Sequence, residues 1–564
     1  MAHTIPNFDQ MNRPDPDLAE LEATYDALLK ELETADSGEA RYAVIQKWEA
    51  LRREIDTWGA LVSLHFHQDT ADEAKRARRD KLDELSPRLT NFTVRFKKAL
   101  LALDNRENLT PLIGEHCFAL WEADARTFDE SIEADLAQEA KLCAQYTELR
   151  SSAKLEFQGE THNLSSIGRF LSDADRQTRY DASTIRWKFF SENQERFDDI
   201  YDQLVKLRTQ IAHKLGYDSF IELAYDRMNR TEYNKKDVEV FRDEVRKYVV
   251  PLAVALREEQ RKRLELDKLM AWDEPVMDPS GNPKPQGGVD WMVERAKEMY
   301  DAMHPELGRF FHLLADRSLL DLDLRATKAG GGFCTGFPNW GVPFVFANFN
   351  GTKHDVTVLT HEMGHAFQFY ASQDQPISDY FWPTMEACEI HSMSLEFLCY
   401  PWMDKFFGDD AARFRENHLS DALLFLPYGA AVDHFQHLVY EKPNATPAER
   451  NAMWQHVESL YLPDRDYGDL PHCKDGGLWQ QQLHIYEVPF YYIDYALAQS
   501  VALQFWDLAE KDFDNALERY VALCRRGGSA PFNALVTSSA LRSPFESGCL
   551  AGVVETAKSA LAIQ

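Results

Sequence analysis

A chain that carries His361-Glu362-Met363-Gly364-His365 inside an apolar-rich run without proline has few folds open to it. On a helix, residues four apart lie one above the other, so His361 and His365 offer two imidazole nitrogens to one metal ion. Glu362 is turned toward the open coordination position, where a carboxylate can hold a zinc-bound water and take its proton during attack on an amide carbonyl. Val356, Val358, Leu359, Met363, Phe367 and Phe369 predict a buried helix from about 355 to 371. Two histidines on a buried helix need a partner, and the spacing predicts Zn²⁺, one per chain, with peptidase chemistry.

A catalytic zinc site keeps three protein ligands and leaves one position for water, so a third ligand is expected downstream. A second histidine-rich turn is excluded, because the pattern that would supply it needs Gly at 368 and His at 371, where this chain has Gln368 and Ala371. The segment Thr384 to Glu396 follows a breaker-rich stretch and reads as a second helix that stops before Pro401. Glu386, Glu389, Met393 and Glu396 fall close to one of its faces, and periodicity does not choose between Glu386 and Glu389 as the ligand. Asp355 and Glu396 are candidates for orienting the ligand histidines.

Two further segments suit a peptide substrate. Val342 to Phe349 is the best strand candidate in a chain that otherwise reads helical, and Pro343 suggests an edge strand. An extended peptide can add to such an edge through its main chain, which makes Phe344, Phe346 and Ala347 candidate substrate contacts with little demand on side chains. Gly331 and Gly332 permit close approach of backbone to ligand. The stretch from Trp479 to Tyr495 is dense in aromatics, and Pro489 suits the first turn of a helix that would carry Tyr491, Tyr492 and Tyr495, with His484 in the turn before. Tyr O–H and His N–H groups are the donors that a tetrahedral oxyanion requires, although an aromatic core helix has the same composition.

With these motifs together, the chain resembles the oligoendopeptidase F branch of the thimet oligopeptidase family of zinc metallopeptidases. The resemblance rests on Gly330 to Thr335, Pro343 to Thr352, Thr360 to Gln368 and the run Glu389-Ile390-His391-Ser392-Met393 to Glu396, and it spans roughly residues 170 to 550. It implies that Glu389, the first Glu of an E-x-x-S-x-x-x-E run, is the third zinc ligand. It also implies that His484 and Tyr495, with Tyr491 or Tyr492, contact the scissile carbonyl and substrate backbone. The implied fold is mainly α, a two-lobed helical metallopeptidase with a deep central channel and a small β-sheet beside the zinc helix. The implied activity is internal cleavage of short unstructured peptides. A zinc carboxypeptidase or dipeptidyl carboxypeptidase of related build is the nearest alternative, and a non-catalytic peptide-binding protein the more distant one.

Composition agrees with an enzyme of this kind. Aromatic content of 12% and hydrophobic content of 44% exclude a disordered chain. A formal charge of −30 without any Lys/Arg block argues against nucleic acid or an anionic membrane as partner. Met1 to Phe8 lacks a basic stretch followed by an apolar core, so a cytoplasmic location is expected, with the eight cysteines as free thiols. Helices are expected over 15–35, 39–70, 71–104 and 126–153, a short polar connection of possible β character over 154–164, and a long run over 236–268. We divide the chain into an N-terminal helical lobe, 1–165, and a catalytic region, 166–564.

Overall fold

The computed structural model describes residues 5–103 and 106–563, so the opening Met1 to Thr4 of the N-terminal stretch lies outside it. The chain is mainly α-helical and folds into two compact units, each gathered from three separate stretches. The first unit comprises Met1–Phe128, Pro283–Ala412 and Val501–Leu541. The second comprises Asp129–Asn282, Arg413–Ser500 and Arg542–Gln564. No described helix is long and apolar enough to cross a membrane.

The first unit opens with helices that start on side-chain caps. Asp17 accepts from the amides of Ala19 (2.9 Å) and Glu20 (3.1 Å) at the start of α1 (Leu18–Thr34), and Ser37 accepts from Ala40 (3.1 Å) at the start of α2 (Gly38–Gln68). Leu21, Tyr25, Leu28 and Leu32 recur at helical spacing and bury one face of α1. They share a core with Trp48 of α2, with Phe92 and Phe96 of α3 (Glu73–Leu101), and with the two helices that follow, α4 (Arg106–Ile113) and α5 (His116–Thr127). Trp48 stacks on Phe96 with ring centres 4.6 Å apart and meets Trp121 of α5 edge-on at 5.9 Å. Pattern reading assigned no element to the stretch that forms α4 and most of α5, because Pro111 and Gly114 break its periodicity.

A three-stranded sheet follows, built from β1 (Leu320–Asp323), β2 (Phe333–Phe337) and β3 (Val342–Phe349) in the order β1-β3-β2. β3 is therefore the central strand, parallel to β1 and antiparallel to β2, which corrects the edge-strand expectation for 342–349. Pro343 is tolerated because it stands second in the strand, opposite Gly336, and the Val345 amide is still bonded to the Leu319 carbonyl at 2.9 Å. Phe344, Phe346 and Ala347 are buried in the layer and cannot present the free edge assumed for them. Within the sheet β2 pairs on one side only, with β3. Gly336 lets the sheet lie on the helix behind it: a Cβ there would sit 2.4 Å from the Phe369 ring.

That helix is α6 (Lys353–Ala371), which carries the histidine motif, and it is followed by α7 (Met385–Leu398); both match their predicted spans within about two residues. α8 (Phe513–Arg526) packs behind them, with Tyr520 Oη donating to the His391 carbonyl at 3.0 Å.

In the second unit, Leu155–Phe157 and Glu160–His162 form an antiparallel hairpin across Gln158-Gly159, both at positive φ (51° and 83°). The predicted 236–268 run appears as helices Lys235–Glu244 and Val250–Arg263 joined by a π-helical turn at Val245–Val249. Pro251 stands just after that turn, where its missing N–H breaks the regular ladder. Tyr146 and Tyr486 stack face to face at 3.8 Å in the interior of this unit.

Candidate active site

The start of α6 is tied down by Asp355. Its carboxylate accepts from the amides of Asn350 (3.0 Å) and Gly351 (2.7 Å), so the acid closes the β3-to-α6 turn and does not act on a ligand histidine as the sequence had suggested. About two and three turns further on, His361 and His365 project from the same face. His361 Nε2 lies 3.3 Å and His365 Nε2 3.4 Å from one oxygen of Glu389, Oε2, on α7. The three side chains form the one cluster of His, Cys, Asp or Glu found among the described residues that could hold a metal ion. Glu386, the alternative left open by periodicity, is buried outside this cluster.

The spacing fits a tetrahedral ion. Ligand atoms about 2.0–2.1 Å from a zinc define tetrahedron edges of about 3.3–3.4 Å. The two measured separations to Glu389 lie in that range.

The surrounding contacts orient these atoms. His361 Nδ1 and Glu396 Oε1 are 2.6 Å apart, so the ring donates there and turns its Nε2 lone pair toward Glu389. Ser392 Oγ donates to Glu389 Oε2 at 2.9 Å, fixing the carboxylate's rotamer. Each polar member of Glu389-x-x-Ser392-x-x-x-Glu396 thus has its own task. The sequence run was visible beforehand, but the task of Ser392 was not.

Glu362 is 6% exposed, and its Oε2 is buried with no hydrogen-bond partner among the described residues. Burial pushes its carboxyl above the usual range, against the pull of His361 and His365. A buried carboxylate oxygen without a partner is costly unless water or a substrate group meets it. Gly332 stands against the same side chain: a Cβ there would lie 3.5 Å from Glu362 Oε1. The residues present therefore fit a divalent metal flanked by a free carboxylate.

Gly364 sets how closely the two helices meet. A Cβ at this position would lie 2.4 Å from the His391 carbonyl oxygen and 2.6 Å from Ser392 Cα. Neither backbone group can swing aside, so Gly364→Ala should push α7 away from α6 and spread the three ligand atoms. We expect a stability loss of about 1–3 kcal/mol, measured by denaturant unfolding, with weaker metal retention in a chelator competition.

A second cluster lies wholly within the other unit. His484 sits on a short helix of its own, Leu483–Glu487, and Pro489 and Phe490 form a turn ahead of helix Tyr492–Lys511, with Phe490 at φ 69°. Pro489 is thus outside the helix that it was expected to start, and Tyr491 precedes that helix while Tyr492 and Tyr495 ride on it. The His484 ring centre is 5.7, 4.9 and 5.8 Å from those of Tyr491, Tyr492 and Tyr495. Burial, with Arg150 adding to it, lowers the His484 pKa to about 4, so the ring is neutral near pH 7. Gln482 Nε2 faces its Nδ1 at 2.8 Å while Gln482 Oε1 accepts from Tyr428 Oη at 3.0 Å. With Nδ1 an acceptor, Nε2 carries the proton and is free to donate. Gln482 is a contributor that pattern reading passed over.

Residues 8–128 match the peptidase M3 N-terminal domain, and residues 169–279 and 306–555 match peptidase family M3. Among solved structures, the chain is 44% identical to PZ peptidase A with inhibitor 2, over 98% of this chain and 99% of that one, with a TM-score of 0.93. It is 45% identical to a protein provisionally described as oligoendopeptidase F, over 99% of both chains with a TM-score of 0.93. Another of the same description, from Bacillus anthracis, is 42% identical over 99% of this chain and 98% of that one, with a TM-score of 0.89. No curated protein sequence matches the chain. The chain is a metalloendopeptidase, and it belongs to peptidase family M3, in its oligoendopeptidase F branch.

Proposed function

We propose that the protein is a zinc endopeptidase that hydrolyses internal bonds of short unstructured peptides, with one Zn²⁺ per chain held by His361, His365 and Glu389. The observation that carries this reading is the ligand triangle, with its separations of 3.3 and 3.4 Å, beside a buried Glu362 oxygen that has no hydrogen-bond partner among the described residues. When bound, zinc supplies a Lewis acid that polarises the scissile carbonyl and acidifies water. Glu362 takes the proton of the attacking water and returns it to the leaving amine, a role for which a burial-raised carboxyl pKa is suited. Glu396 and Ser392 keep the ligand atoms of His361 and Glu389 aimed.

The substrate contacts move by one strand from those first expected. The edge of β2, entered through Gly331 and Gly332, takes the role first given to Phe344, Phe346 and Ala347 of β3. It has no strand partner on its outer side among the described residues, so its backbone is open to an extended peptide, and like β3 it packs against α6. Gly332, next to Glu362, leaves room for the peptide backbone. For His484 and Tyr495, with Tyr492 or Tyr491, the role is donation to the developing oxyanion. Support comes from their shared cluster and from the neutral, Nε2-protonated state of His484.

The test is mass spectrometry of a mixed-length peptide pool incubated with the zinc-loaded protein, with and without chelator. Internal cuts confined to short peptides and abolished by chelator are expected. Stepwise trimming from the C-terminus would instead identify a carboxypeptidase, and intact peptides beside confirmed zinc would identify a binding protein.

A further inference from the structure

The two ligand-bearing helices are joined by residues 372–384, and the path of that connection determines where Glu389 falls relative to His361 and His365. Its middle, a single 3-10 turn at Ser378–Tyr380, is held by the N-terminal helices through buried charges. Glu49 of α2 accepts from both the amide and the hydroxyl of Ser378, each at 2.6 Å. Arg52, one turn on, donates to Asp379 Oδ2 at 2.5 Å and to Glu49 Oε1 at 2.7 Å. Lys97 of α3 donates to Asp379 Oδ1 at 2.9 Å and to Asp124 of α5 at 2.6 Å. The Cys117 amide at the start of α5 donates to Tyr380 Oη at 2.8 Å.

Side-chain exposures of 8% for Asp379, 6% for Lys97 and 5% for Glu49 place these ions away from water, where the pairing is geometrically demanding. The neighbouring Ile377 and Tyr380 belong to the same apolar core as Leu28, Trp48 and Trp121. From the other side, Gln368 Nε2 and Ser372 Oγ, near the end of α6, both donate to the Phe381 carbonyl at 2.9 Å. The Gly528 amide donates to the Tyr380 carbonyl, also at 2.9 Å. The connection is therefore gripped between the end of the motif helix and the N-terminal helices, immediately before α7 begins.

We infer that Asp379 is a positioning residue for the metal centre: held by Arg52 and Lys97, it lets the N-terminal helices set the register of α7, and with it the approach of Glu389 to the two histidines. This rests on the reading of His361, His365 and Glu389 as the metal ligands. An N-terminal domain that serves only to bury apolar surface would not need three charged side chains, Glu49, Arg52 and Lys97, directed at one turn. Asp379 touches neither the ligands nor any residue of the proposed chemistry, so its effect is to be read in metal affinity first.

The experiment measures zinc affinity by competition with a chromogenic chelator, and the d–d absorption of the Co²⁺-substituted protein, for wild type, Asp379→Asn, Asp379→Glu, Ser378→Ala and Leu28→Ala. Leu28→Ala opens the same core without removing any hydrogen bond or ion pair of the connection. Asp379→Asn should weaken zinc binding by roughly tenfold at most, no more than the lower end of the effect of losing a group bonded directly to a ligand. It should also alter the Co²⁺ spectrum and lower kcat at limiting zinc while KM moves little. Asp379→Glu should recover part of the affinity, and Leu28→Ala should lower stability while leaving zinc affinity unchanged. Should Asp379→Asn fail to fold, Ser378→Ala, which removes one hydroxyl from Glu49, carries the same test with a smaller shift. Unchanged zinc affinity in a folded Asp379→Asn, or an equal loss in Leu28→Ala, would overturn the inference. Wild-type protein that binds no zinc would instead overturn the metal assignment itself.

Discussion

Replacing Glu362 by Gln leaves a folded protein that binds zinc as wild type does and turns peptides over about 10²–10⁴ times more slowly. The substitution conserves shape and removes the one property that the mechanism needs. Glu362 is not among the three clustered ligand side chains, so metal affinity should not move. Its Oε2 is buried without a partner among the described residues, which is the state expected of a carboxylate kept for water and substrate rather than for structure. A neutral amide can still accept a hydrogen bond from water but cannot hold the proton while the tetrahedral species forms. The check is kcat on a defined peptide alongside zinc stoichiometry. Normal turnover with full zinc would remove Glu362 from the mechanism, whereas lost zinc would mean that the side chain is structural.

The second large effect is expected far along the chain, at Arg230. Its guanidinium donates to Asp494 Oδ1 at 2.5 Å and to the Phe490 carbonyl at 2.7 Å, and both charged side chains are fully buried. These bonds fix the turn between His484 and the helix of Tyr492 and Tyr495, a turn that already holds Phe490 in the left-handed region at φ 69°. Arg230→Met leaves the Asp494 carboxylate buried beside a thioether. Removing one partner of such a pair costs about 3–5 kcal/mol, well above the net worth of the pair itself. We expect a lowered unfolding transition in calorimetry and a fall in kcat/KM, with zinc affinity unchanged. Adding Asp494→Leu to Arg230→Met should restore much of the stability, because the buried charge is removed along with its Arg230 partner, yet leave kcat/KM low because the turn is no longer held. Recovery of both together would mean that Arg230 contributes stability alone.

The parts of this protein that were legible in its sequence are those in which chemistry and period coincide. The motif helix was expected over 355–371 and spans Lys353–Ala371, since apolar residues at helical spacing and the absence of proline are local properties. The second helix was equally plain between its breakers. Periodicity did not show its choice of ligand, which only the family resemblance implied, because Glu386 and Glu389 share a face and the crossing of α6 over α7 at Gly364 brings one of them to the histidines. The sheet misled for a related reason. Pro343 marks a strand that cannot donate at one position, but whether another strand lies on that side depends on residues more than twenty positions away, at Leu320–Asp323. The stretch around Pro489 was read as a helix start, and it became a turn because Arg230 and Gln436 take up the backbone groups of Phe490.

By itself the sequence determined the metal chemistry: which nitrogens can converge, which acid can act as base, and that the surrounding chain is helical. These follow from the fixed geometry of one helix, in which spacing along the chain is distance in space. Tertiary structure alone decided which strand keeps a free edge and that buried charges of the N-terminal helices hold the turn between the ligand helices, and it brought Glu389, the glutamate that the family resemblance implied, to the histidines. Those are distances between segments remote in the chain, set by how side chains pack across helices and sheet, and no local period encodes them.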